Sequence, residues 1–125
     1  MSKKETPLTR RYWDSVGGAL IEEFPAVRKG AGNAQRLLDG IIVLGEPKAI
    51  VRFSDVDIKG KDIIVVQTKA SRLGMYLMGQ AIISRKLMEA FQPRNIRSVA
   101  VCLQGDSVLE SLLPEFGLEL VVYPE

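Results

Sequence analysis

The 125-residue chain contains no histidine and only one cysteine, Cys102. Without histidine, the Ser-His-Asp and Cys-His mechanisms, histidine general bases and zinc-finger ligand sets are excluded. A single cysteine cannot form an intramolecular disulfide, and its place in an apolar run is typical of an inert buried thiol in a reducing compartment. Any catalysis must therefore use carboxylates, lysine, tyrosine, serine or a metal ion held by oxygen ligands.

Long hydrophobic runs are also missing. No apolar stretch is long enough to span a bilayer, and the N-terminus lacks the apolar region of a signal peptide. P-loop, GxGxxG and CxxC patterns are absent, so nucleotide-cofactor and zinc sites have no support. We therefore expect a soluble, cytoplasmic protein without membrane association. The formal net charge of +2 neither marks nor excludes a nucleic-acid binder.

What is present fits one globular domain. The chain has the length of a single domain and can bury a core without disulfides or structural metal. Its hydrophobic fraction of 46% and charged fraction of 26% are ordinary for a folded protein. We predict one domain over residues 1–125, in which residues 1–5 form a loose tail.

The hydrophobic pattern predicts an α/β fold. Thr6 and Pro7 favour a helix start, as N-cap and first helical residue. Further elements are predicted as strands at 19–27, 37–44, 49–53 and 63–70, a helix at 74–92, a strand at 96–103, a helix at 108–116 capped by Ser107, and a strand at 118–123. We summarise the order as α-β-β-β-α-β-α-β, which counts three of these four strands before the long helix, and predict a mixed β-sheet flanked by helices.

Polar residues interrupt the two most apolar strands. Asp39 breaks the run at 37–44, and Gln67 and Lys69 break the run at 63–70. Side chains alternate along a strand, so Gln67 and Lys69 face the same side. Because charged groups are rarely buried without partners, we expect the three side chains to converge at the ends of adjacent strands. Such a cluster could bind a cation and orient a water molecule.

Two structural alternatives stay open on these residues alone. Asp39, followed by Gly40, could be a bulge or turn device. Lys69 could lie past the end of its strand and extend into water. Structural ion pairs are as common as functional ones, so the pattern alone does not choose between them.

The arrangement resembles the PD-(D/E)XK nuclease superfamily. An aspartate in one strand, Asp39, is followed in a later strand by the acid-x-lysine position, here Gln67-Thr68-Lys69, and then by a helix. The resemblance covers about residues 7–104 and is nearest to RecB-like variants. It implies a restriction-endonuclease-like core.

The resemblance implies metal-dependent hydrolysis of phosphodiester bonds in DNA. Asp39 would be the principal ligand of Mg²⁺ or Mn²⁺, joined by the carbonyl oxygen of Gln67. An acidic residue ahead of the motif would complete the metal shell, and we prefer Glu23 to Glu22. Lys69 would orient the attacking water and stabilise negative charge.

Nucleic acid is therefore the expected partner, with a homodimer also expected. The residues predicted to contact nucleic acid are Arg36, Lys61, Arg72 and Gln80, the last because RecB-like domains often carry a glutamine in the helix after the lysine. Trp13 and Tyr76 could stack on bases, although aromatic residues at helical spacing are more often core.

Gln67 is a departure from the family pattern, which has aspartate or glutamate there. A glutamine oxygen can ligate a hard cation but brings no charge, so the metal affinity should fall. A second hypothesis is therefore a non-cleaving relative that binds nucleic acid or protein. A third is a subunit role, which a large exposed face on the long apolar helix would support.

Overall fold

The computed structural model describes residues 2–125, which form a six-stranded mixed sheet with helices on both faces. In chain order the elements are α1 (Glu5–Val16), β1 (Ala19–Val27), β2 (Arg36–Val43), β3 (Ala49–Val51), β4 (Asp62–Arg72), α2 (Met75–Met88), β5 (Asn95–Gln104), α3 (Ser107–Glu110) and β6 (Leu118–Val122). Short 3₁₀ segments cover Phe53–Asp55, Glu89–Phe91 and Leu113–Phe116. None of the described helices is both long and apolar enough to cross a membrane.

The spatial order of the strands is β3-β1-β2-β4-β5-β6. Strands β1, β2 and β4 are antiparallel, whereas β5 and β6 continue the sheet parallel to β4. The predicted mixed sheet flanked by helices is confirmed. All four strands predicted before the long helix are present, although the predicted summary order counted only three. The short β3 pairs in parallel with β1 at the sheet edge.

Strand β4 is covered on both faces, which explains its continuous apolar run. Ile63 and Val65 enter the core on the side of α2, and Ile64 and Val66 enter the core on the side of α1. All four side chains are at most 1% exposed. A central strand buried by helices on each side needs apolar residues at successive positions, as predicted.

The chain start differs from the predicted loose tail. Helix α1 begins at Glu5, and the carbonyl oxygen of Ser2 accepts hydrogen bonds from the N–H groups of Glu5 and Thr6, each at 3.1 Å. Thr6 is therefore inside the helix and not its N-cap. Pro7 is tolerated in the first turn because the N–H groups there have no partner within the helix. Met1 lies outside the described residues.

The predicted helix at 108–116 is also corrected. It divides into α3 and a 3₁₀ segment that contains Pro114. The N-cap is Asp106 and not Ser107, since Asp106 Oδ1 accepts hydrogen bonds from the N–H groups of Val108 and Leu109 at 3.0 Å.

Candidate functional site

Strands β1 and β2 lose their side-chain alternation at the same level of the sheet. On β1, Ile21 and Phe24 both enter the core on the α2 side, and on β2, Leu38 and Ile41 do the same. Residues three apart in a regular strand face opposite sides, so each strand is irregular between these positions. Glu23 lies within the irregular part of β1, with a φ of 51° in the left-handed region.

Asp39 lies where the pairing of β2 with β4 ends. The last partners are Gly40 and Val66. Just past them, Asp39 Oδ2 accepts a hydrogen bond from the backbone N–H of Thr68 at 2.8 Å. The carboxylate takes the place of the backbone acceptor that β2 no longer offers. Asp39 therefore has a structural role at the strand irregularity.

The side chain of Gln67 on β4 forms hydrogen bonds with both β2 and α2. Its Oε1 atom accepts a long hydrogen bond of 3.4 Å from the backbone N–H of Asp39, and its Nε2 atom donates to Ser84 Oγ on α2 at 2.6 Å. The side chain is 4% exposed, so these contacts replace water around its amide. Two hydrogen bonds therefore join β2 to β4 here. The Asp39 side chain accepts one from the backbone of β4, and the Gln67 side chain accepts the other from the backbone of β2.

Helix α1 closes over this end of β4 on the other face of the sheet. The hydroxyl groups of Thr9 and Thr68 lie 2.7 Å apart and share a hydrogen bond in the buried interface. Gly40 permits the close approach. A Cβ atom there would lie 3.2 Å from side-chain atoms of both Leu20 and Thr9, closer than most such contacts.

Glu5 is a site residue that the sequence reasoning missed. Its Oε2 atom accepts a hydrogen bond of 3.4 Å from the backbone N–H of Ala70, two residues beyond the N–H that Asp39 caps. The loose-tail prediction placed Glu5 outside the fold. The available signal was an acidic residue two positions before Pro7, a pattern typical of a first helical turn.

The carboxyl group of Asp39 is in surroundings that disfavour its charge. Burial raises its pKa above the usual value of 3.8, and the negative charges of Glu5 and Glu23 act in the same direction. The hydrogen bond from the N–H of Thr68 opposes these effects without cancelling them. An anion held beside other anions favours a proton or a bound cation.

The two neighbouring glutamates of β1 have different surroundings. Glu22 accepts two hydrogen bonds from the guanidinium of Arg10, at 2.8 and 3.0 Å, and is thereby joined to α1. Glu23 is exposed, and its charge acts on Asp39. The preference for Glu23 as a member of a metal shell stays a prediction.

Lys69 and Arg72 lie at the same end of β4 as Asp39. Lys69 is exposed and pairs with Cys102 of β5, whose side chain enters the core on the α2 side. By alternation, Lys69 and Gln67 share the α2 face of the strand. Arg72 is exposed at the last residue of β4. The structure therefore brings Asp39 and Gln67 into contact and leaves Lys69 and Arg72 in solvent nearby.

Lys61 is separated from the other predicted site residues. It immediately precedes β4, and its ammonium group forms an ion pair of 3.1 Å with Glu46. Eight residues of extended strand, the separation between Lys61 and Lys69, span roughly 26 Å. A contact of Lys61 with nucleic acid would therefore lie at the opposite end of the sheet from Asp39.

A surface groove adjoins Asp39 on the α2 side. Its volume is about 590 Å³, and it lies between the start of β2 and helix α2. Its lining includes Arg36 and Gln80, two of the predicted nucleic-acid contacts, together with Gln67. Met75, Tyr76 and Ile83 of α2 expose 78%, 77% and 58% of their surface. The exposed apolar face that the third hypothesis requires is therefore present, and Tyr76 is not a core residue.

The oxygen atoms around Asp39 suit a hard cation in type but are not assembled as a finished shell. Among the described residues, Asp39 Oδ1 accepts no hydrogen bond, and Gln67 Oε1 has only its long one. Within residues 2–125, no three Asp, Glu, His or Cys side chains are grouped closely enough to hold a metal ion. Neither Glu5 nor Glu23 therefore completes a metal shell with Asp39 in this arrangement.

Comparisons with known proteins give no assignment. No protein-family model, no curated protein and no solved structure matches the chain.

Proposed function

We propose that this protein hydrolyses phosphodiester bonds in DNA with a divalent metal ion, as the resemblance to the PD-(D/E)XK nucleases implies. The observation that carries the proposal is the contact of Asp39 with the Gln67-Thr68-Lys69 segment at the end of the β2–β4 pairing. Polar residues that interrupt two apolar strands thus meet at one place, at the sheet end next to the start of α2.

The order of elements supports the proposal. Helix α1, the antiparallel strands β1, β2 and β4, helix α2 and the parallel strand β5 follow one another as expected for a restriction-endonuclease-like core. Strand β3 would be an addition at the sheet edge. In this arrangement α2 begins soon after Lys69, so its free N–H groups lie near the same end of β4.

The donor set fits Mg²⁺ or Mn²⁺, which prefer oxygen ligands. Asp39 Oδ1 and Gln67 Oε1 would hold the ion, with Glu23 or Glu5 as an added carboxylate. When bound, the ion would polarise the phosphate and make a water molecule more acidic. Because the pKa of Asp39 is raised, a cation must displace any proton from this carboxyl group, so its affinity should increase with pH.

Lys69 and Arg72 supply the fixed positive charge. The ammonium group of Lys69 would donate a hydrogen bond to the attacking water or to a phosphate oxygen on which negative charge accumulates. Arg72, with two parallel N–H groups, would hold a neighbouring phosphate. Both side chains are exposed, as contact with a polyanion requires.

The test is cleavage of linear duplex, single-stranded and branched DNA in Mg²⁺ or Mn²⁺, with EDTA as the blank. We expect Asp39→Asn to abolish cleavage and Lys69→Met to reduce the rate by a factor of about 10² to 10³. Lys86→Met is the matched control, because Lys86 is an exposed lysine in the last turn of α2. Cleavage that survives Asp39→Asn, or that Lys86→Met reduces equally, would reject the proposed site.

A second candidate is a binding module that does not cleave. Both polar atoms of the Gln67 amide are already engaged within the fold, and the position lacks the charge that the family pattern provides. This candidate predicts DNA binding in EDTA that Mn²⁺ does not strengthen, with no heat of Mn²⁺ binding in calorimetry. Metal binding that Asp39→Asn removes would reject it.

A further inference from the structure

The groove beside α2 is lined by apolar, amide and cationic side chains. Tyr76 and Ile83 supply exposed apolar area, and the amides of Gln35 and Gln80 supply paired donors and acceptors. Among the described residues that line it, the only ionised side chain is the cation Arg36. The groove therefore combines flat apolar surface, amide groups and positive charge, with no lining carboxylate to repel an anion.

A glycine opens the floor of the groove. Gly79 lies in the interior of α2, where glycine is the least favourable residue after proline. A Cβ atom at Gly79 would have no heavy atom within 4 Å, so the space above it is empty. The groove is thus open beside Tyr76, and its volume of about 590 Å³ falls in the range of small-ligand sites.

The groove is continuous with the proposed catalytic residues. Gln67 lines it and also accepts the hydrogen bond from the backbone N–H of Asp39. Leu38, the residue before Asp39, lines it as well. A nucleotide in the groove would therefore lie beside the proposed catalytic residues, as part of the strand being cleaved.

We infer that the groove binds an unpaired base of the substrate strand, so that the protein acts on single-stranded DNA or on single-stranded regions. This inference rests on the proposed function. Bases in a duplex are stacked on each other and present only their edges, whereas an unpaired base has free faces for Tyr76 and a free edge for the glutamine amides. Arg36, which lines the groove, would contact the adjoining phosphate.

The test is binding in EDTA, where cleavage cannot occur, measured by fluorescence anisotropy. The probes are a labelled 12-nucleotide DNA strand and the same strand annealed to its complement. We expect the single strand to bind more tightly than the duplex. Tyr76→Ala should weaken single-strand binding roughly 5- to 150-fold, the range for loss of one base–aromatic stack. Phe53→Ala, an exposed aromatic outside the groove, is the control and should change affinity less than twofold.

A second variant separates binding from folding. Gly79→Leu replaces an unfavourable helical residue and fills the groove, so it should raise the Tm and still weaken single-strand binding. Equal or tighter binding of the duplex, or unchanged binding by Tyr76→Ala and Gly79→Leu, would overturn the inference. Dissociation of a dimer by Tyr76→Ala with unchanged DNA binding would also overturn it and assign the groove to self-association.

The proposed function is tested separately, by measuring DNA cleavage in Mn²⁺. Cleavage that Asp39→Asn abolishes and Tyr76→Ala leaves intact would keep the nuclease and reject the groove. Single-strand binding that needs Tyr76, without cleavage of any DNA, would keep the groove and reject hydrolysis. Absence of binding to either probe would overturn the groove inference, whatever the cleavage result.

Discussion

The two ends of strand β4 give their carboxylates opposite surroundings. At the start of the strand, Asp62 accepts hydrogen bonds from the guanidinium of Arg94 and the amide of Asn95, at 2.5 to 2.8 Å. These bonds lower the pKa of Asp62 to about 2. On the neighbouring strands, Arg97 and Glu119 form a second pair with two hydrogen bonds, at 2.8 and 2.9 Å. Asp62 and Glu119 therefore each have a cationic partner.

At the far end of β4, Asp39 has no such partner among the described residues. Its carboxylate accepts a hydrogen bond from the N–H of Thr68, while burial and the charges of Glu5 and Glu23 raise its pKa. Ion pairs thus hold the start of β4, whereas the Asp39 carboxyl group lies among acidic neighbours. A bound cation would relieve that unfavourable charge, as our proposal requires.

The largest expected contrast is between Asp39→Asn and Asp62→Asn. Asp39→Asn removes the unfavourable charge and keeps an oxygen for the N–H of Thr68, so the Tm should hold or rise while cleavage falls by at least about 10³. Asp62→Asn loses the ion pair with Arg94, so the Tm should fall while the cleavage rate stays within about twofold. Thermal denaturation and initial rates measure the two effects.

The contrast fails if the two substitutions behave alike. Loss of cleavage in Asp62→Asn at temperatures where it is folded would mean that both ends of β4 contribute to the chemistry. A large fall in Tm for Asp39→Asn would mean that the charged carboxylate stabilises the folded state and is not unfavourable there.

The next contrast adds charge at each end. Gln67→Glu places a second carboxylate beside Asp39 and restores the family pattern, so the Tm should fall in EDTA and rise strongly in Mn²⁺. At a Mn²⁺ concentration of 100 times the Kd, binding stabilises by about 2.7 kcal/mol. Ser84 can reorient its hydroxyl to donate to the new carboxylate. Differential scanning fluorimetry in EDTA and in Mn²⁺ measures both shifts.

The matched control is Gln92→Glu, near the start of β4, where the carbonyl of Gln92 accepts a hydrogen bond from the N–H of Gly60. Its Tm should not depend on Mn²⁺. If Mn²⁺ stabilises both variants equally, the ion binds to added surface charge and not to a site around Asp39.

The fold was predictable where burial alone decides the pattern. Residues 41–43 and 63–66 are apolar at successive positions because helices cover both sheet faces, and the sequence shows this directly. The contact of Asp39 with Gln67 followed from the same pattern, since a polar group in such a strand needs a partner. The cap of α3 was misplaced by one residue, because Asp106 and Ser107 are both good N-cap residues.

The features that the sequence did not predict depend on tertiary contacts. Glu5 reaches β4 only because α1 packs closely over Gly40, and no local pattern in residues 1–5 reports that packing. The left-handed conformation of Glu23 is likewise imposed by the strand irregularity, and glutamate has no preference for it. The separation of Lys61 from Lys69 follows from the sequence, since Lys61 precedes the predicted strand at 63–70 and Lys69 lies near its end.

The smallest expected effect is on the pH dependence of stability, and it has opposite signs at the two ends. Asp62 has a folded pKa of about 2, below its ordinary value of 3.8, so its stabilising contribution is full above pH 3.8 and is lost as the pH falls towards 2. Asp39 has a raised folded pKa, so the folded state holds its proton more tightly and stability falls as the pH rises through that pKa. Urea denaturation between pH 2 and pH 7 measures both slopes.

The substitutions isolate these slopes from the other carboxylates. Relative to the parent, Asp62→Asn should lose its destabilising effect as the pH falls below 3.8, because the parent carboxylate is then protonated too. Asp39→Asn should become relatively more stable as the pH rises above 3.8 and then level off once the parent Asp39 is fully ionised. Parallel pH profiles for the two variants would show that the ends of β4 do not differ in their electrostatics. Addition of Mn²⁺ should flatten the Asp39 profile alone, because the cation takes the place of the proton there.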